Sequence, residues 1–328
     1  MTPPKQEQSV APFRVAPYFR TRIWGFHDLS PWFDFQTSGE PIGEVWLTGD
    51  QCTAETGPLS GKPLSEIVSD YGPAVLGEQF ATGAFPLLVK VLFPKEKLSV
   101  QVHPDDDMAQ KYGDPRGKTE CWYALDAQPG AQVALGIKPG VPPEKVRSAI
   151  EDSTLEDLLE WLPVVKQDMI FVDAGTVHAI GPGVVLLETQ QNSDLTYRMY
   201  DYGRPRELHL DRSMEAMNLL TGAGKIKPVN ENGHVKLIDK PYFRLDRFAL
   251  DAAGSIPKVA DFESPFRDRV QIFFVADGAA NLKVAGAEPI SLNRCQIAIV
   301  PANASGWSLE PRDRAEIIRI VPQLGDES

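Results

Sequence analysis

Three separated stretches of the chain carry residue types suited to chemistry. From Lys97 to His103, apolar and polar residues alternate strictly. That predicts a strand with Leu98, Val100 and Val102 on one face and Ser99, Gln101 and His103 on the other. An amide and an imidazole two residues apart on one strand face can both reach a single metal ion. The stretch from Gly117 to Tyr123 likewise puts Lys118 and Glu120 on one face. In the third stretch, His178 lies between Gly175 and the Gly-Pro-Gly run at 181–183, where the backbone is tightly constrained. Singly, these are ordinary features: a half-exposed strand, a solvated Lys–Glu pair and a structural histidine. Together, two imidazoles and a carboxylate form a sensible ligand set for Zn²⁺ or Fe²⁺.

Cationic residues fall close to the same stretches. Lys90 interrupts the apolar run 85–93, and a buried ammonium needs an anionic partner, either a carboxylate or a phosphate. Arg198 and Arg204 stand six apart in a Tyr- and Gly-rich stretch; a guanidinium fork suits phosphate, although such arginines are also ordinary in surface loops. The Ser99 hydroxyl is a candidate phosphate donor or a partner for a neighbouring backbone group. Bulk charge points the other way: 33 Lys and Arg against 45 Asp and Glu give a net −12. Binding to nucleic acid or to an anionic membrane surface is therefore disfavoured, and an anionic ligand must be met by a local basic pocket.

The elements that would position these groups are mostly strands. Short apolar runs alternate with Gly, Pro and Asp turns, and 28 prolines among 328 residues exceed the usual ~5%. Helical patches are expected near 64–71, after Asp211, and over 142–163. In the last of these, Pro142 and Pro143 open a helix, Ser153 and Glu156 read as a capping box, and Leu155, Leu158, Leu159 and Leu162 follow at helical spacing. Asp105, Asp106 and Asp107 begin a short helical turn. A loose tail is expected over 1–12 and a boundary near 221–232. That makes a metal-binding unit over 13–225 and a smaller β unit over 233–322 without metal ligands. His27, His209 and His234 are read as structural or exposed, and Trp24, Trp46 and Trp122 as core. No stretch reaches the ~18 apolar residues of a membrane helix. No signal-peptide core is seen, and the 3 cysteines suggest a reducing, cytoplasmic setting.

The sequences Leu-Ser-Val-Gln-Val-His-Pro-Asp-Asp at 98–106, Gly-Lys-Thr-Glu-Cys-Trp-Tyr at 117–123 and Ala-Gly-Thr-Val-His-Ala-Ile-Gly-Pro-Gly at 174–183 resemble type I mannose-6-phosphate isomerases of the short bacterial form. So do the stretch 186–204, Arg-Ile-Trp-Gly at 22–25 and Ile-Gly-Glu-Val-Trp at 42–46. The resemblance is strong over 18–220 and loose beyond. It implies a mainly β fold of two cupin-type jelly-roll domains with a small helical insertion in the first. It implies one Zn²⁺ per chain, held by Gln101, His103, Glu120 and His178, and a reaction interconverting mannose 6-phosphate and fructose 6-phosphate through a cis-enediol. Arg198, Lys118, Glu188 and Asp194 would then be catalytic, while Ser99, Lys90 and Arg204 would bind substrate phosphate.

Two departures from the wider pattern stand out. Asp173 occupies a position where cupins often have proline, and Gly117 one where longer family members have histidine, so no role of that histidine transfers. Two other classes stay open: a cupin Fe²⁺ oxygenase, which would leave Lys90, Lys118 and Arg198 without an anionic substrate, and a non-catalytic sugar-phosphate sensor. The expected partner is a small sugar phosphate.

Overall fold

The computed structural model describes residues 10–81, 83–251, 266 and 268–325. The chain begins with strands β1 (Phe13–Val15), β2 (Tyr18–Phe26) and β3 (Ile42–Trp46), then helix α1 (Leu64–Leu76). Strands β4 (Leu87–Leu92) and β5 (Val100–Val102), helix α2 (Asp106–Lys111), strands β6 (Glu120–Ala127) and β7 (Gln132–Ile137) and helix α3 (Pro143–Glu151) follow. Next come β8 (Leu159–Pro163), β9 (Met169–Val172), β10 (His178–Ile180), β11 (Val184–Gln191), β12 (Tyr197–Tyr200) and α4 (Leu210–Ala216). The remaining strands are β13 (Gly224–Ile226), β14 (Val229–Glu231), β15 (His234–Lys240), β16 (Phe243–Asp251), β17 (Gln271–Val284), β18 (Ile290–Asn293), β19 (Ile297–Val300) and β20 (Trp307–Pro322).

These strands form three antiparallel sheets. The middle one has 7 strands in the order β13-β9-β6-β11-β4-β3-β2. A 5-stranded sheet, β12-β5-β10-β7-β8, covers one of its faces. An 8-stranded sheet, β1-β19-β17-β20-β16-β15-β14 with β18 beside β17, covers the other. Covering both faces explains why β3, β4 and β9 are buried at every position and read as apolar runs, broken only by Glu44 in β3 and Lys90 in β4. Trp122, Leu92 and Leu186 pack against Val133 and Ile180 of the 5-stranded sheet. On the opposite face, Val45, Val91 and Leu187 share a core with Ile272, Phe274 and Ile320. Each fully buried side chain of this size contributes about 1.5–3 kcal/mol, so the sandwich is the main source of stability.

Several expectations need correction. The helical insertion expected over 142–163 is helical only from Pro143 to Glu151. Ser153 takes a positive φ of 60°, which stops the helix, and Leu155–Leu158 make one 3-10 turn. Leu159 and Leu162 then enter β8 and pair with β7. Leu98 precedes β5 and packs with Leu92 and Trp122, on the core opposite to that holding Val100 and Val102. Val10 and Pro12, expected in a loose tail, are buried. Strand β1 pairs with β19, so Phe13–Val15 completes the C-terminal sheet although the chain boundary near 221–232 assigns it to the other half. By contrast, Asp105 caps α2 by accepting the Met108 N–H at 2.9 Å, as its sequence suggests.

Candidate metal centre

The 5- and 7-stranded sheets bring the three chemical stretches together. Gln101 in β5 and His178 in β10 are directly paired across the 5-stranded sheet, and His103 lies just past the end of β5. Glu120 opens β6 in the facing sheet. In the 7-stranded sheet, Glu188 is in register with Lys90 on one side and Trp122 on the other, and Gln190 with Glu120. Residues in register share a face, so Lys90, Glu188 and Glu120 all point at the histidines.

The ligand atoms of His103, Glu120 and His178 all lie within 4.8 Å of one another, and all three residues are buried. His178 Nε2 is 3.4 Å from Glu120 Oε1, and His103 Nε2 is 3.7 Å from Glu120 Oε2. The Gln101 side-chain amide reaches within 3.1 Å of His178 Nε2. Each imidazole makes its outer contact through Nδ1: His103 with the Leu195 carbonyl at 2.8 Å and His178 with the Thr176 carbonyl at 2.9 Å. Donation from Nδ1–H to those carbonyls turns both Nε2 lone pairs toward the centre. Gly175, at φ 83°, makes the turn before Thr176, and its N–H donates to the His103 carbonyl at 2.8 Å, tying the two histidine segments together.

Charge inside this space is dense. Lys118 Nζ lies 2.7 Å from Glu120 Oε2, 3.0 Å from His103 Nε2 and 3.4 Å from Glu188 Oε1. Lys90 Nζ approaches the same Glu188 oxygen at 3.4 Å. Burial, reinforced by Lys118, holds His103 neutral well below its ordinary range. Burial likewise brings His178 down to about 4, against the pull of its contact with the Thr176 carbonyl. Burial and then the neighbouring Glu120 push Glu188 up to about 7, against the attraction of Lys90 and Lys118. Lys118 is driven up by Glu120 and Glu188, which outweigh its burial. Glu188 Oε1 and Glu120 Oε2 are buried without a hydrogen bond of good geometry, although lysine ammoniums stand close to both. Two neutral imidazoles aimed inward and the Glu120 carboxylate, with an oxygen that lacks a hydrogen bond, are a donor set that fits a divalent metal.

The centre opens onto a cleft of about 430 Å³, within the size range of small-ligand sites. Lys90, Ser99, Gln101, Lys118, Glu120, Glu188, Asp194 and Arg198 all line it. Arg204 does not. Outside that lining, its guanidinium donates to the Asp201 and Lys97 carbonyls and pairs with the Asp201 carboxylate at 3.1 Å, while Nη1 is buried without a hydrogen bond. Arg206 lines the wall instead, held by two 2.6 Å bonds to Asp201. Asp194 is at the mouth, half exposed and 4.0 Å from Arg22.

Sequence reasoning missed Arg22 and Glu44, which line the cleft; Trp24, read as core, is buried in the core and also reaches the cleft wall. Arg22 forks onto Glu44 with two bonds of 2.9 Å, and Trp46 Nε1 donates to Glu44 at 2.7 Å. A carboxylate within the apolar run of β3 was the available signal, of the same kind as Lys90 in β4. Burial alone would raise the Glu44 carboxyl; Lys90 and Arg22 outweigh it and hold it at about 2.

A second metal-like cluster among the described residues is formed by Glu231, His234 and Asp246. Lys236, Arg244 and Arg319 already pair with those acids, so the charge that an ion would neutralise is met by protein.

Comparison with known proteins sets this geometry in context. Residues 13–137 match the family model for the phosphomannose isomerase type I catalytic domain. The chain is 34% identical over 263 residues to the probable mannose-6-phosphate isomerase GmuF of Bacillus subtilis, covering 75% of this chain and 82% of that protein. It is 30% identical over 308 residues to the mannose-6-phosphate isomerase of Streptococcus mutans, covering 88% and 92%. The crystal structure of the mannose 6-phosphate isomerase from B. subtilis superposes with a TM-score of 0.83 at 29% identity, covering 95% of this chain and 99% of that one.

Proposed function

This chain belongs to the type I phosphomannose isomerases and is an aldose–ketose isomerase interconverting mannose 6-phosphate and fructose 6-phosphate; we propose that the reaction takes place in the cleft above His103, Glu120 and His178. The observation that carries this reading is the juxtaposition of that neutral-imidazole and carboxylate cluster with five cations, Arg22, Lys90, Lys118, Arg198 and Arg206, on the walls of one cleft. Arg22, Lys90, Lys118 and Arg206 each pair with a carboxylate, whereas Arg198 bonds the Glu207 carbonyl, keeps a buried Nε without a hydrogen bond and has no carboxylate partner among the described residues. The phosphate of a sugar phosphate would supply that partner; a neutral substrate, as for an oxygenase, would not.

The reaction moves one proton from C2 to C1 and one between the two oxygens, with no co-reactant. A group that both accepts and returns a proton must therefore sit beside both carbons, with positive charge near the oxygens of the cis-enediol. Glu188 is the proposed proton carrier: it is buried, faces the cleft, and has a carboxylate oxygen shared by Lys90 and Lys118 without a well-formed hydrogen bond. Lys118 is proposed to stabilise charge on the substrate oxygens. Arg198 and Arg206 are proposed to hold the phosphate, with Ser99 on the same wall and Lys90 serving mainly as a counter-charge to Glu188. Asp194, paired with Arg22 at the mouth, is proposed to orient sugar hydroxyls.

We further propose a single Zn²⁺ held by His103, Glu120 and His178, with the Gln101 amide turned to present its oxygen as the fourth donor. When bound, the ion supplies a fixed positive charge that polarises the substrate oxygens. The two-unit division, with 13–225 metal-binding and 233–322 supporting, is part of this proposal, β1 being transferred to the second unit. So is a cytoplasmic setting; no helix among the described residues is long and apolar enough to cross a membrane. The test is a coupled assay for fructose 6-phosphate formed from mannose 6-phosphate, with glucose 6-phosphate and ribose 5-phosphate as controls. Turnover of mannose 6-phosphate alone is expected; turnover independent of bound metal would remove the proposed centre.

A further inference from the structure

The segment leading into β6 is held from behind by a hydrogen-bonded bracket centred on Asp106. Buried backbone N–H groups need acceptors, and three successive ones here have specific partners. Gly117 N–H donates to Asp106 Oδ1 at 2.7 Å, Lys118 N–H to the Pro104 carbonyl at 3.0 Å, and Thr119 N–H to Gln191 Oε1 at 2.8 Å. Gln191 Nε2 in turn donates to the same Asp106 oxygen at 3.0 Å, so Asp106 dictates which way that amide faces. The other Asp106 oxygen accepts the Tyr242 hydroxyl at 2.9 Å. Tyr242 lies in the turn between β15 and β16, in the C-terminal sheet. The approach at Gly117 is close: a β-carbon there would stand 2.4 Å from the Asp105 carbonyl carbon.

We infer that Asp106 is a positioning residue for the isomerase, aiming Lys118 through Gly117 and Gln191, and that Tyr242 makes the C-terminal sheet part of that aim. Lys118 follows Gly117 directly, and its ammonium sits within 3.4 Å of His103, Glu120 and Glu188. A misplacement of about 1 Å in such a group costs up to ~100-fold in rate. Glu120 does not depend on the bracket, because β6 is laddered to β9 on one side and β11 on the other. The bracket therefore acts on turnover and not on metal retention. The inference rests on the reading of Lys118 as a site group.

The experiment compares Asp106→Ala, Asp106→Asn, Tyr242→Phe and the double variant Asp106→Ala/Tyr242→Phe with the parent and with Lys118→Ala, all as metal-loaded full-length protein. Metal content, kcat and KM for mannose 6-phosphate are the readouts. Asp106→Ala is expected to lose about tenfold in kcat, with KM within threefold and metal content unchanged. Asp106→Asn keeps an acceptor for Gly117 and offers Tyr242 a donor, so it should recover most of the loss. Tyr242→Phe should lose two- to fivefold on its own and nothing further when added to Asp106→Ala. Parent-like kcat in Asp106→Ala beside an inactive Lys118→Ala would overturn the bracket alone. So would loss of metal in step with activity, or failure of asparagine to rescue. Parent-like kcat in Lys118→Ala would overturn the site reading, and this inference with it.

Discussion

His178 Nε2 and Glu120 Oε1 are 3.4 Å apart, yet the two residues belong to different sheets. The imidazole is presented by β10 of the 5-stranded layer and the carboxylate by β6 of the 7-stranded layer. An ion gripped by both would tie the layers together, so its removal should be felt in stability as well as in catalysis.

His178→Ala is accordingly expected to abolish bound zinc and isomerase activity together. Metal analysis of purified protein should fall from about one ion per chain to near zero. Chelation of the parent should lower its melting temperature, because a ligand present at 100 times its Kd adds about 2.7 kcal/mol to the native state. Active protein free of metal would contradict the centre.

Glu188→Gln should retain zinc and lose about 10²–10⁴-fold in kcat, the range for removing a general acid–base group. Metal content and single-turnover kinetics together check this. Loss of zinc with activity would make Glu188 a ligand instead of a proton carrier.

Arg206→Ala should raise KM for mannose 6-phosphate about 10–100-fold, since a hydrogen bond to a charged group is worth about 1.5–3 kcal/mol. Arg204→Ala, at a residue outside the cleft lining that bonds the Asp201 and Lys97 carbonyls, should leave KM within about threefold. Steady-state kinetics of the two variants, with inorganic phosphate as a competing ligand, separate the assignments. The reverse ranking would return the phosphate role to Arg204.

Glu44 gives a pH-dependent contribution of defined sign. Its folded carboxyl, held at about 2, lies below the ordinary 4.5, so the native state binds fewer protons there than the unfolded chain. The stabilisation is present above the ordinary value and is lost as pH falls toward about 2. Glu44→Gln is expected to cost about 1–3 kcal/mol near neutrality, leaving Arg22 and the Trp46 N–H poorly matched. Urea unfolding across about pH 3–7 should show the parent–variant gap closing on the acid side. A gap constant with pH would mean that the Arg22–Glu44 fork contributes no linked charge.

The site was more legible in the sequence than the elements around it. Gln101 and His103 announced an inward polar face because strand alternation is strict, and Lys90 announced itself as a charge inside an apolar run. The leucines at 155, 158, 159 and 162 misled because their spacing is helical while Ser153, at φ 60°, breaks the helix before it reaches them. Arg206 gave no signal distinguishing it from Arg204; both pair with Asp201, and only the tertiary path of the loop puts Arg206 on the cleft wall. His234, read as structural or exposed, is structural, buried against Glu231 and Asp246. One of its partners, Asp246, lies on the next strand, and sheet register is a tertiary property.

The pairing of β1 with β19 has a consequence for how the chain matures. Phe13, Arg14 and Val15 find their strand neighbours, Ile299, Ala298 and Ile297, about 280 residues later. During synthesis that strand must wait, edge bare, until β19 has emerged from the ribosome. A cut near 221–232 would separate β1 from β19, so neither half is a natural unit for truncation or fusion.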